Sequence, residues 1–240
     1  MNTKVLNDSI RLINEMHLKE RLNGLYKTIP EGECTGCGRC CGESVRTHYV
    51  EFLNIYEYMK KHNLISKAFK KRLLTFYFTE LVEVRECPFR DHGKCLIYPV
   101  RPLVCRLFGH IEENEHLAGL QATHAQNKEA ADYIKAEYGI DIPNAVIYKT
   151  IPYCRDFKVS HHMSTEERIE LSTAILMMDS EFFKLEIIDE YHMDYGLVQW
   201  FIDLWIDPDE ADEMRIIIAA EMLENGTSGS LKTLLKEKCQ

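Results

Sequence analysis

The chain has 240 residues, 45% of them hydrophobic and 28% charged, an ordinary composition for one large globular domain or two small ones. No apolar run approaches the ~20 residues that span a bilayer, and the start MNTKVLNDSIRLINEMHLKE lacks the apolar stretch of a secretory signal, so a cytoplasmic protein is expected and a membrane partner is not. The net charge of −9 is uneven: residues 161–240 hold 18 acids and 6 Lys+Arg (−12), residues 1–160 hold 20 acids and 23 bases (+3), so no phosphate-binding field points to nucleic acid.

In chain order, Leu6, Ile10, Ile13 and Met16 recur at helical spacing, which predicts one helix over Lys4–Asn23 with Gly24 as its stop. Pro30 and the glycines Gly32, Gly36, Gly38 and Gly42 then break regular structure. Two helices are predicted over Tyr49–His62 and Ser66–Glu80, with Asn63 between them. Leu81–Arg85 reads as β, and Phe89–Tyr98 as a hairpin around Asp91-His92-Gly93. Pro102–Phe108 predicts one or two helical turns, and Lys128–Tyr138 a short helix capped by Gly139. Ser164-Thr-Glu-Glu167 is a capping box before a long helix reaching about Tyr191. Asp194–Ile206 is a further helix, and Asp207-Pro208 opens another that Gly226 closes. The following GTSGS is expected to be flexible, with a last helical turn or two over Leu231–Lys238. The expected fold is mainly α: helices around a cysteine-rich loop and β-hairpin metal-binding region, with a helical C-terminal part. Residues 1–160 form the cysteine-cluster part and 161–240 an acidic helical region, either separate or packed with it as one domain. The acidic region reads as a solvated helical surface, with a docking face for a basic protein partner as the alternative. The oligomeric state is left open.

Seven of nine cysteines fall in two short segments, Cys34, Cys37, Cys40 and Cys41 in CTGCGRCC, then Cys87, Cys95 and Cys105 in CPFRDHGKCLIYPVRPLVCRLFG. A buried free cysteine needs no cysteine neighbours, whereas soft metals take about four thiolates at fixed angles. A reducing compartment and an odd cysteine count both disfavour a disulfide framework. Gly36 and Gly38 ease the Cys-x-x-Cys turns and let backbone N–H groups point at sulfur. Cys34, Cys37 and Cys40 have the spacing of the first three ligands of a bacterial ferredoxin, but Ser44 occupies the fourth position. The fourth ligand must therefore come from afar, with Cys87 the first candidate. Adjacent Cys40 and Cys41 suggest two metals on either side of the backbone, or one ligand and one supporting thiol. Cys154 is a candidate eighth ligand, which would permit two four-sulfur sites. Cys239 reads as an ordinary free thiol. Arg39, Arg101 and Arg106, and in sequence Arg155, stand where guanidinium groups would balance an anionic cluster. His48, His92 and His110 flank cysteines but read as structural or exposed, and His116, His124 and His161-His162 have no metal-site spacing. Asp91, His92 and Glu43 lie near cysteines, and each reads first as a turn or surface residue. Nucleotide and hydrolase fingerprints are absent, as is the radical-SAM spacing Cys-x3-Cys-x2-Cys.

The paired motifs CTGCGRCC, Cys-Pro-Phe, Cys-x-Ile-Tyr and Arg-Pro-x-x-Cys-Arg closely resemble the CxxCxxCC cysteine-cluster family (YkgJ-like) over Cys34–Gly109. AADYIKAEYGI extends the likeness more faintly to Gly139. The family's usual cysteine before that helix is replaced here by QATHAQNKEA, a role for which Cys154 is a guess. The resemblance implies a zinc- or iron-chelating domain, often called an Fe–S oxidoreductase. A related cysteine motif occurs in the bacterial flagellin lysine methylase, and that resemblance implies an iron–sulfur cluster. The expectation is a [4Fe–4S]-type centre in a redox or modification role, as an oxidoreductase or an accessory subunit with a redox partner. The alternatives are structural zinc in a protein-interaction module and a metal-handling protein.

Overall fold

The computed structural model describes residues 3–42 and 44–239; Glu43 lies outside them. It is 63% helical, with eleven α-helices among the described residues and strands of two residues each, so the mainly α fold is borne out. None of the described helices is long and apolar enough to cross a membrane.

Where one N-terminal helix is predicted there are two, α1 (Thr3–Glu15) and α2 (Leu18–Tyr26), because His17 between them turns left-handed at φ 52°. The corner brings Leu6 and Ile13 of α1 and Leu18 and Leu22 of α2 into one core, and leaves Gly24 inside α2 rather than after it. Strand β1 (Gly32–Glu33) follows, then the cysteine loop. Helices α3 (Tyr49–Lys61) and α4 (Lys67–Thr79) match their predicted spans, with Asn63 in the left-handed region between them. The Asp179 carboxylate, far off in sequence, accepts from the N–H groups of Tyr49 (2.9 Å) and Val50 (2.8 Å) at the start of α3. Leu81–Arg85 is not a strand. Val82 and Glu83 donate back to the Thr79 carbonyl, and no neighbouring strand lies there to pair.

The hairpin is present: β2 (Arg90–Asp91) pairs antiparallel with β3 (Lys94–Cys95) across His92 (φ 48°) and Gly93 (φ 77°). Two positive φ values make the tight turn whose twist suits a hairpin. Helix α5 (Leu103–Leu107) is short and starts after Pro102, and Gly109 lies within a 3-10 turn after it. Helix α6 (Glu113–Tyr138) begins fifteen residues before the predicted Lys128, although Gly139 ends it as expected at φ 71°. Apolar periodicity could not reveal its first half, since Ala131 is its one buried residue. Polar contacts hold it instead: His116, His124 and Asn127 bond the carbonyls of Ile151 (2.9 Å), Lys149 (3.0 Å) and Ile147 (3.1 Å). Helix α7 (Asn144–Ile147) lies in that strapped segment, and β4 (Lys158–Val159) returns to pair with β1.

Helix α8 (Thr165–Lys184) starts at the predicted capping box but stops early, where Glu186 takes φ 54° and a 3-10 turn follows. Helix α9 (Leu197–Ile202) is the central part of its predicted span. Helix α10 (Pro208–Asn225) has the predicted ends, Asp207 capping and Gly226 closing at φ 67°. Helix α11 (Gly229–Lys238) begins inside GTSGS, and the expected flexibility gives way to a clamp. The Glu221 carboxylate accepts from the hydroxyls of Ser228 (2.6 Å) and Ser230 (2.7 Å) and from the Ser230 N–H (3.1 Å).

The core runs across residue 160. Trp200 and Phe201 of α9 meet Phe52 of α3 at ring separations of 5.5 and 5.3 Å, and Phe69 and Phe89 close on Phe201 at 5.8 and 5.5 Å. All five rings are fully or almost fully buried, each worth roughly 1.5–3 kcal/mol relative to exposure. Phe89, two residues after Cys87, anchors the hairpin to this aromatic core.

Candidate metal centre

The cysteine loop is shaped by glycine. Gly36 and Gly38 take φ values of 69° and 77°, and the Gly36 N–H donates to the Cys34 sulfur at 3.4 Å. A Cβ on Gly38 would also overlap the Arg90 guanidinium. Arg90 rests on that glycine and donates to the carbonyls of Cys37 (3.5 Å) and Gly93 (2.8 Å) and to Glu86 (2.6 Å). It thereby stitches the CTGCGRCC loop to the hairpin. The Cys87 N–H adds a direct bond to the Cys41 carbonyl at 2.9 Å. Arg90 is a site residue that sequence reasoning misses. Its place in Cys-Pro-Phe-Arg is visible, but its partner glycine lies 52 positions earlier.

These contacts gather Cys34, Cys40, Cys41, Cys87, Cys95, Cys105 and Cys154 around one cavity of about 690 Å³. Of the eight predicted ligands only Cys37 is absent from its wall, and Cys239 lies elsewhere, packed on the core. Cys154 arrives on the segment that α6 straps down, and the Lys149 ammonium fastens it further by donating to the Gly42 carbonyl at 2.8 Å. All nine cysteines are free thiols. Among the described residues no three His, Cys, Asp or Glu side chains are gathered tightly enough to hold a single ion. The thiols ring a space rather than a point.

The donor set fits a soft metal. Among the described residues no carboxylate or imidazole lines the cavity, whereas Arg90, Lys94, Arg101 and Arg106 do. Backbone N–H groups two residues on also face several sulfurs: Gly36 for Cys34, Arg39 for Cys37, Phe89 for Cys87, Ile97 for Cys95 and Asp156 for Cys154. Such donors favour thiolate and fix its direction. At Cys37, which is exposed, the Arg39 N–H and then the Arg39 side chain (3.4 Å) hold the thiol below its ordinary value. Arg39 itself is paired with Asp156. Elsewhere burial wins. It pushes Cys87 up to about 12 and raises Cys95, Cys105 and Cys154, while Cys40 is raised first by its hydrogen bond with Cys41. Cys105 is exposed where it meets the cavity, yet its thiol is among the desolvated ones. Cys40 disfavours ionisation of Cys87, Cys95, Cys105 and Cys154, and Cys37 and Cys41 disfavour that of Cys40, as neighbouring thiolates must without a cation between them.

The other candidates fall into place. Arg101 and Arg106 line the cavity, and Arg155 pairs with Glu113 outside it. His48 caps α3 beside Asp179, His92 is exposed at the hairpin tip beside Asp91, and His110 is buried.

Residues 33–131 match the family CxxCxxCC, described as "Putative zinc- or iron-chelating domain". No curated protein and no solved structure matches the chain. The matched segment holds both cysteine clusters, from Cys34 to Cys105, and Cys154 joins the cavity from outside it. The family supports metal binding and does not separate zinc from iron.

Proposed function

We propose that the cysteine cavity holds a [4Fe–4S]-type iron–sulfur centre serving a redox or modification reaction. The observation that carries this reading is the shape of the donor set: seven thiols and, among the described residues, no carboxylate or imidazole, spread around about 690 Å³. A single tetrahedral zinc needs four sulfurs within ~2.3 Å of one point, whereas a multi-atom cluster accepts thiolates from a wider ring. Repulsion links Cys40 with Cys87, Cys95 and Cys105 on one side and with Cys37, Cys41 and Cys154 on the other, so the thiols act on one another as a single donor set.

A bound cluster would supply one-electron transfer. The chain's own residues do the rest. The four cationic side chains offset the charge of a thiolate-ligated cluster, and the N–H donors stabilise its sulfurs. Phe89, Val104, Phe108, Ile151, Leu197 and Val198 form an apolar wall that limits water and so tunes the potential. A structural zinc staple is the second reading, favoured by the near absence of regular structure between Gly32 and Arg46.

Protein purified without oxygen should be brown, absorb near ~400 nm and contain iron with acid-labile sulfide. Colourless protein with stoichiometric zinc would establish the staple instead, and protein retaining neither metal would sink both readings.

A further inference from the structure

We infer that a second cavity, behind the wall of the cysteine cavity, binds a small organic anion carrying a phosphate or carboxylate group. This goes beyond the metal reading and does not depend on it. The cavity encloses about 910 Å³ and shares Arg101, Arg106 and Phe157 with the cysteine cavity. Its volume is that of a small-molecule site. The Phe157 ring forms the partition, lodged between Gly32 and Gly109, where a Cβ on either glycine would overlap it.

Charge identifies the ligand class. Arg39, Arg72, Arg90, Arg155, Arg168 and Arg215 each pair with a carboxylate, but Arg101 and Arg106 form no such ion pair among the described residues. They are positioned by neutral groups. Arg106 lies over the Tyr26 ring at 4.0 Å and donates to the carbonyls of Arg101 (2.8 Å) and Pro99 (2.7 Å). Arg101 lies over the Tyr98 ring at 3.9 Å and donates to the Tyr98 carbonyl at 3.4 Å. The nearby buried carboxylate, Glu51, already accepts from the Tyr26 hydroxyl and from the N–H groups of Leu103 and His48.

His110 adds an independent sign. It lines the same cavity, is 2% exposed, and its Nδ1 has no hydrogen-bond partner. A buried polar atom left unpaired costs about 1–3 kcal/mol, which a ligand or its bridging water would relieve. At the mouth, Glu33 pairs with Lys158 at 3.8 Å, leaving exposed Glu31 as the lining carboxylate without that partner. Two guanidinium forks held in place without a carboxylate ion pair among the described residues, beside an orphaned imidazole nitrogen, suit bidentate recognition of phosphate or carboxylate. A ligand there would lie against the partition from the thiols, as a substrate or co-ligand of the metal centre would.

The test titrates the full chain, purified anaerobically, with inorganic pyrophosphate and separately with citrate at low salt, by calorimetry. Metal content is measured on the same samples, so that loss of the metal reading is scored separately. At least one probe should bind, with the preferred one separating phosphate from carboxylate chemistry. Arg101→Gln should weaken binding about tenfold, the scale of a charged bidentate contact, and because Arg101 also lines the cysteine cavity its binding is compared at equal metal content. Arg155→Gln, whose arginine pairs with Glu113 away from both cavities, should bind as the native chain does. Lys158→Glu, on exposed β4, gives a second reading and should also weaken binding. Absence of binding by either probe, or equal binding by the native, Arg101→Gln and Lys158→Glu proteins, overturns the inference.

Discussion

Cys87 shows how much one residue decides. Its sulfur is desolvated and faces Cys95 and Cys40, its N–H joins the two cysteine segments, and Phe89 beyond it enters the aromatic core. Cys87→Ser should therefore lose metal and solubility together, because ligand-binding free energy is also folding free energy. Cys239→Ser, outside the cavity, should keep both; metal per chain and the visible spectrum check the pair. Asp203 offers a pH prediction remote from the metal. Burial raises its carboxyl to about 6. A carboxyl raised in the folded state favours folding while protonated and costs stability as pH rises through its folded value. From pH 4 to pH 7 the native chain should accordingly lose stability relative to Asp203→Asn, by at most ~3 kcal/mol. Urea unfolding of both proteins at the two pH values measures it, and parallel curves would refute the assignment.

Among the elements, the partition and the strap set the geometry of the site. Gly109→Ala should drive the Phe157 ring from between its glycines at a cost of roughly 1–3 kcal/mol, the usual penalty for overpacking. Its signature would be a lowered thermal midpoint together with weakened metal retention. Helix α6 acts on the site through polar contacts. Removing the bond from His124 to the Lys149 carbonyl by His124→Leu should cost about 1 kcal/mol and speed amide exchange over 148–157, the segment carrying Cys154. Unchanged exchange there would mean that the strap is held from elsewhere. The element ends that sequence predicts well carry local chemistry: the Ser66 and Ser164 caps, the closing Gly139 and Gly226, and the His92-Gly93 turn. Those it predicts poorly are decided by partners. The first half of α6 has no apolar stripe to read, and Leu81–Arg85 has β-type residues but no strand to join.

For the whole molecule, the charge step near residue 160 is a surface property, while packing ignores it. Helix α8 supplies the Asp179 cap of α3, and α9 supplies Trp200 and Phe201 to the rings under the hairpin. Residues 1–160 expressed alone should therefore fail to give a cooperatively folded, metal-retaining protein. A truncated chain with a sharp thermal transition and full metal content would disprove this. By itself the sequence determined that the chain is mainly helical and that its cysteines form a soft-metal donor set, because capping, periodicity and thiol spacing are local facts. Only the tertiary structure decided that Cys154 joins the other thiols at one cavity, that Arg90 replaces a side chain at Gly38, and that Arg101 and Arg106 form no carboxylate ion pair among the described residues. Each of these rests on contacts between segments distant in sequence, and no local pattern encodes them.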